Sequence, residues 1–209
     1  MKTVLCYGDS NTFGYEPLSG TRYPKEKRWT TILQKRLGEE FEVIPEGLNG
    51  RTTAYDRPDN VWKNGFPYLA PCIASNKPVD YIVFMLGTND CNADLNLTPE
   101  DIAAGMERLI INVEEENPDM QDYLPKMIIV APAAIREGWE TSPFADQLDE
   151  NSVLKSHAIA PLYKAVAEKH GCMFLDCTDE LEVSSFDCEH LTEKGHARLA
   201  ELLAELILG

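Results

Sequence analysis

The chain has no CxxC cysteine pair, no internal repeat, no low-complexity tract and no apolar run approaching the length of a membrane span. The last absence argues against a transmembrane segment, and the middle two argue against a solenoid and against dominant disorder. Basic residues are also scarce. With 19 Lys and Arg against 35 Asp and Glu, the formal charge is -16, which repels phosphate backbones and anionic lipid surfaces. No nucleic-acid partner and no membrane partner is therefore expected. From Met1 the chain enters a short apolar run ending at Tyr7, too short for the hydrophobic region of a signal peptide, so a cytoplasmic location is expected. The six cysteines (Cys6, Cys72, Cys91, Cys172, Cys177 and Cys188) sit in hydrophobic strand or helix patterns and read as free thiols. Cys188 lies near His190, but the pair lacks the spacing of a structural zinc site.

What is present is an alternation. At 209 residues the chain suits one domain over 1–209 with a sizeable core. Short apolar runs at 3–7, 42–45, 81–86, 127–131 and 173–176 read as strands, and their near-continuous hydrophobicity suits parallel strands covered on both faces. Helical spacing covers 29–37. Thr98, Pro99 and the acids that follow open a second helix running to about Glu115. A third spans 152–170 and stops at Gly171, and Thr192 caps a final helix with Leu199, Leu202, Leu203, Leu206 and Ile207 on its apolar side. The order βαβαβαβαβα predicts an α/β doubly wound sheet whose ligand site lies at the carboxyl ends of the strands. Two segments, 54–66 and 135–151, break the repeat. They are polar and turn-rich yet carry Trp62, Trp139 and Phe144, so they read as rim loops over a pocket or, equally, as exposed connections or a contact between copies in a homo-oligomer.

Chemistry-bearing residues gather at the strand ends. Gly8-Asp9-Ser10-Asn11-Thr12-Phe13-Gly14 follows the first strand and presents the Ser10 hydroxyl. The segment has neither the Gly-Lys-Ser/Thr ending of a phosphate loop nor the Gly-x-Ser-x-Gly of the usual hydrolase elbow. Gly87-Thr88-Asn89-Asp90 follows the third strand and offers an amide donor, although by itself it is also a good turn sequence. Asp187-Cys188-Glu189-His190 precedes the last helix, and its spacing lets Asp187 orient His190. A serine nucleophile needs such a base and such a carboxylate.

Taken together, these blocks resemble the SGNH hydrolases, the GDSL-type esterase and lipase superfamily, over almost the whole chain. Gly8-Asp9-Ser10 matches the first block, with Asn11 where the family name has leucine. In Gly47-Leu48-Asn49-Gly50-Arg51-Thr52-Thr53, Gly50 matches the oxyanion-hole glycine. Asn89 matches the oxyanion asparagine, and Asp187-x-x-His190 completes the pattern. Glu46-Gly47-Leu48, Arg51-Thr52-Thr53 and the run from Met85 to Asp90 look especially like bacterial arylesterase and acyltransferase members. The resemblance implies a three-layer α/β/α sandwich with a central five-stranded parallel sheet, flavodoxin-like in order. It implies hydrolysis, or transfer, of small acyl groups from a small-molecule ester through an acyl-enzyme on Ser10. Asp187 and His190 would complete a triad, and the Ser10 and Gly50 N–H groups with the Asn89 amide would bind the oxyanion; no cofactor and no metal is called for.

Two other classes fit the same residues. A non-catalytic carbohydrate- or nucleotide-binding module would use Ser10, Asn89 and Asp187 as hydrogen-bond partners only. A metal-dependent hydrolase would use Asp9, Asp187 and His190. Among the neighbours, Asp9 is expected to fix its turn and Asp90 to be structural. His196 is expected in the core or in solvent, His157 and His170 on the surface, and Arg51 as a loop anchor through ion pairing or a substrate contact.

Overall fold

The computed structural model describes residues 1–58, 60–116 and 121–209. Five parallel strands form one sheet: β1 (Lys2–Gly8), β4 (Phe41–Gly47), β5 (Tyr81–Met85), β6 (Lys126–Ala131) and β7 (Met173–Asp176), in the order β4-β1-β5-β6-β7. β2 (Tyr15–Glu16) and β3 (Thr21–Arg22) make a separate small antiparallel hairpin. Helices α3 (Gly65–Asn76), α4 (Pro99–Glu116) and α5 (Glu150–His170) cover one face, and α2 (Trp29–Leu37) and α6 (Glu193–Leu208) the other. Alternation within each strand builds both cores. Leu5, Tyr7, Ile82, Phe84 and Ile129 pack under α3–α5, whereas Val4, Cys6, Val83, Met85 and Ile128 pack under α2 and α6. Because both faces of β1, β5 and β6 are buried, these three strands carry no polar alternation, whereas the edge strands β4 and β7 are partly exposed. The chain leaves β1 to one side for β4 and returns to the other side for β5, so the strand order reverses around β1. Such a switch point opens a crevice at the carboxyl ends of β1 and β5.

Local chemistry accounts for most boundaries. Thr98 and Asp101 exchange side-chain bonds with each other's backbone N–H at the start of α4, and Asp149 and Ser152 do the same at α5, each satisfying donors that a helix start leaves open. α5 therefore begins two residues before the expected Ser152. The segment 54–66, of which residue 59 lies outside the described residues, does not run as a loop to Phe66. Asn64 caps a helix that starts at Gly65. Gly65, Pro67 and Pro71 read as breakers, but Pro67 falls in the first turn, where no N–H is needed, and Pro71 lies on the exposed side. No helix among the described residues is long and apolar enough to cross a membrane.

His170, expected at the surface, instead links α5 to α4. Its Nε2 is 2.9 Å from Glu107 Oε1 and its Nδ1 3.1 Å from Glu114, and its side chain is only 11 % exposed. Burial pulls the imidazole pKa down, but hydrogen bonds to Glu107 and Glu114 outweigh it and raise the pKa above its ordinary value. A raised folded-state pKa stabilises the fold fully below about pH 6.5, and that contribution is lost as pH rises through the raised value. His170→Leu is expected to lose about 1 kcal/mol at pH 6 and less at pH 9. Urea titrations at the two pH values measure the difference; an equal loss at both would remove the ionic part of the link.

Candidate active site

β1 runs straight into the site. A Cβ on Gly8 would lie 2.1 Å from Thr12 Oγ1 and 2.9 Å from Met85 O, so only glycine lets the chain turn there. Asp9 then accepts the Asn11 N–H at 2.9 Å and caps the single-turn helix α1 (Ser10–Phe13), which places Ser10 at its first position. Ser10 Oγ lies 2.8 Å from His190 Nε2, and His190 Nδ1 lies 2.7 Å from Asp187 Oδ2. All three are buried, Asp187 completely. The other Asp187 oxygen accepts the backbone N–H of Glu189 and of His190, which fixes the carboxylate plane. Burial alone would lower the His190 pKa. The hydrogen bond that Nδ1 donates to Asp187 and the nearby charge of Glu189, 3.7 Å from Nδ1, raise it instead.

Asn11, the departure from the family's leucine, ties the two halves of this arrangement together. Its Oδ1 accepts the Leu191 N–H at 2.9 Å and its Nδ2 donates to Glu189 O at 3.3 Å, so one amide grips the backbone on both sides of His190. Cys188 takes a left-handed backbone (φ 67) to close the turn, and its thiol faces the Glu137 and Ser185 carbonyls. Among the described residues no group of three or more His, Cys, Asp or Glu side chains is gathered as a metal-ligand set.

The oxyanion candidates border the same space. Gly50 (φ 78) and Asn89 line one cavity of about 220 Å³ together with Ser10 and His190. Asn89 opens a short turn after β5, and its Nδ2 donates to Arg51 O at 3.1 Å and lies 3.5 Å from Asp9 Oδ2. Asp90, beside it, accepts the N–H and hydroxyl of Thr53 and so binds the end of β5 to the 50–53 loop. That is a structural role. Arg51 is a loop anchor, and among the described residues it acts through carbonyls rather than an ion pair: its guanidinium donates to the carbonyls of Gly8 and Glu46 and lies 4.2 Å from the Tyr7 ring centroid.

Burial shifts several neighbours. It pushes Asp9 up to about 7 and Asp90 to about 6. His196 lies in the core, accepting the Trp29 N–H at 3.4 Å, and burial lowers its pKa to about 3. His157 is exposed.

The two rim segments both reach the cavity. The first supplies Arg57 and Lys63, and the second supplies Phe144 and Gln147. Of Trp62, Trp139 and Phe144, only Phe144 borders this space; Trp62 is exposed, and Trp139, like Phe144, packs against the core under α3–α5. Tyr15, Asn92 and Glu189 complete much of its wall. Sequence spacing gave no sign of these three. They arrive through the β2–β3 hairpin, the turn after Asn89 and the interior of the Asp187–His190 loop.

Comparison with known proteins bears on what this geometry is for. A family model described as the GDSL-like lipase/acylhydrolase family matches residues 6–198. No curated protein matches the chain by sequence search. Among solved structures, a carbohydrate acetylesterase from Sinorhizobium meliloti is 34 % identical, with 100 % of this chain and 99 % of that one covered and a TM-score of 0.92. The native aryl esterase of M. smegmatis gives the same four values. A lipase/acylhydrolase from Enterococcus faecalis, 21 % identical over 99 % of this chain and 95 % of that one, has a TM-score of 0.71 and shares the fold. The Gly8-Asp9-Ser10 turn at the switch point and the matched span of 6–198 thus have one reading in common: the chain belongs to the GDSL-like lipase/acylhydrolase family within the SGNH superfamily, and it is a carboxylic ester hydrolase.

Proposed function

We propose that the protein cleaves short acyl esters through an acyl-enzyme on Ser10. The observation that carries this reading is the unbroken hydrogen-bonded run from Ser10 Oγ to His190 Nε2 and from His190 Nδ1 to Asp187. Ser10 Oγ attacks the ester carbonyl while His190 Nε2 takes its proton, and Asp187 holds the imidazole tautomer and stabilises the imidazolium. His190 then gives that proton to the leaving alkoxide. The Ser10 and Gly50 N–H groups and the Asn89 amide receive the charge that develops on the carbonyl oxygen. A water activated by His190 releases the acid; an alcohol in its place makes an ester.

The cavity supports the substrate class. About 220 Å³ suits a short acyl group with a compact alcohol, and Asn49, Asn92, Gln147 and Arg57 around it offer hydrogen bonds to a polar one. Acetyl esters of sugars or of phenols fit both features, in keeping with the acetylesterase and aryl esterase among the similar structures. The partner is accordingly a small-molecule ester, met by one domain that requires no cofactor.

A fluorophosphonate probe tests the nucleophile without assuming a substrate. Covalent labelling is expected at Ser10 and nowhere else, read by peptide mass spectrometry. An unlabelled Ser10 in folded protein would favour the binding-module reading, since a pure binding site has no reason to activate a serine.

A further inference from the structure

The imidazole of His190 is bordered by two aromatic rings delivered by distant parts of the chain, the three centroids forming a triangle. The Tyr15 ring centroid is 4.4 Å from that of His190, at an interplanar angle of 42°, and the Phe144 centroid is 5.7 Å away, at 58°. The rings stand 6.2 Å from each other. Both are firmly mounted. Tyr15 begins β2, whose hairpin is held to α1 by Arg22 Nε donating to Phe13 O at 2.7 Å and by Tyr23 N–H donating to Gly14 O at 2.8 Å. On the other side, Ser142 Oγ accepts the Phe144 N–H at 3.1 Å and donates to Asp187 O at 3.0 Å. One hydroxyl therefore fastens the second ring to the loop that carries Asp187.

The chemistry proposed above needs a charged imidazole in each half of the cycle, yet His190 is only 4 % exposed, where a cation loses most of its hydration. A cation over the face of an aromatic ring, within about 6 Å of its centroid, is attracted by the ring's quadrupole, and more strongly where water is excluded. Both rings meet that distance. We propose that Tyr15 and Phe144 are positioning residues that stabilise the protonated form of His190 and hold its ring between Ser10 and Asp187. The proposal rests on His190 being the general base.

The other charges facing His190 are anionic: Asp187 at 2.7 Å, Glu189 at 3.7 Å and the more distant Asp9. Buried His196 is the other nearby base. From β2, Glu16 is turned to the backbone N–H groups of Leu18 and Ser19. Arg57 acts on Glu189, and Lys63 lies against Gly50. Replacing a ring by an apolar side chain thus leaves the carboxylates in place and isolates the aromatic contribution.

The test is an NMR titration of the four histidine rings, with His190 assigned by its loss in His190→Gln. In Tyr15→Leu and in Phe144→Leu the His190 pKa is expected to fall by about half a unit, and in the double variant by about one. Tyr15→Phe keeps the ring and is expected to titrate as wild type. The acid limb of kcat/KM moves down with the pKa, and kcat falls about threefold for each ring removed. If Phe144→Leu fails to fold, pentafluorophenylalanine at 144 keeps the shape while reversing the ring's quadrupole, and must lower the pKa in the same direction. An unmoved titration in the leucine variants, or a shift in Tyr15→Phe as large as in Tyr15→Leu, overturns the proposal. The titration is read without substrate, which separates the two readings: a protein that never hydrolyses p-nitrophenyl acetate sinks the esterase mechanism, and an unmoved pKa sinks the role of the rings.

Discussion

Ser10→Ala is expected to remove hydrolysis of p-nitrophenyl acetate almost entirely, by about ten-thousand-fold or more in kcat, while leaving the fold intact. The size of the effect follows from what Oγ does. In the proposed mechanism it is the atom that becomes covalently bonded to the acyl group, so no neighbour can substitute for it by moving slightly. The methyl side chain that remains leaves His190 Nε2 without its 2.8 Å partner, and the residual rate falls to what carbonyl polarisation and binding supply. Stability should change little, because α1 is capped by Asp9, and Asn11 rather than Ser10 bonds the loop around His190. Initial rates with a matched thermal melt decide the matter. Unchanged turnover in a folded variant would rule Ser10 out as the nucleophile.

The sequence carried the topology and the candidate residues for the same physical reason: both depend on short-range pattern. Continuous apolar runs mark the inner strands β1, β5 and β6 because burial on two faces leaves no polar alternation to hide them. Ser10, Asn89 and the Asp187–His190 pair stood out because each follows a strand or precedes a helix at short spacing. What escaped notice depends on contacts between distant residues. Asn11 stands in the motif only as a departure from the family's leucine, yet its amide bonds residues 178 and 180 positions away. Tyr15 had no motif at all, and only the hairpin behind it brings it against His190. α3 was obscured by residues with a poor helical reputation, which sit where the first turn or the exposed side tolerates them. His170 read as a surface residue because neither Glu107 nor Glu114 is near it in sequence, although both are near it across the α4–α5 contact.

Asn89→Ala is expected to lower kcat about a hundredfold while KM changes by no more than a few-fold. An amide whose hydrogen bond strengthens as the carbonyl oxygen gains charge contributes to the transition state and little to the ground state, so its loss falls on kcat. Asn89 is suited to such a role because its amide is already oriented before substrate arrives. Nδ2 is held by Arg51 O at 3.1 Å, and Arg51 is itself buried and fixed to the carbonyls of Gly8 and Glu46. The donor therefore stands on the frame that positions Ser10, since Gly8 ends the strand from which Ser10 emerges. That shared mounting also supplies the control. If Asn89 served only to brace the 50–53 loop, its removal would loosen Gly50 and the cavity wall, raising KM and lowering the melting temperature together. Asn89→Asp sharpens the comparison: it keeps the volume but aims a carboxylate oxygen where a donor is needed, so it should reduce kcat at least as much as alanine does. Steady-state kinetics on the two variants measure the split. A loss confined to KM, or an aspartate variant as active as wild type, would remove Asn89 from the oxyanion hole.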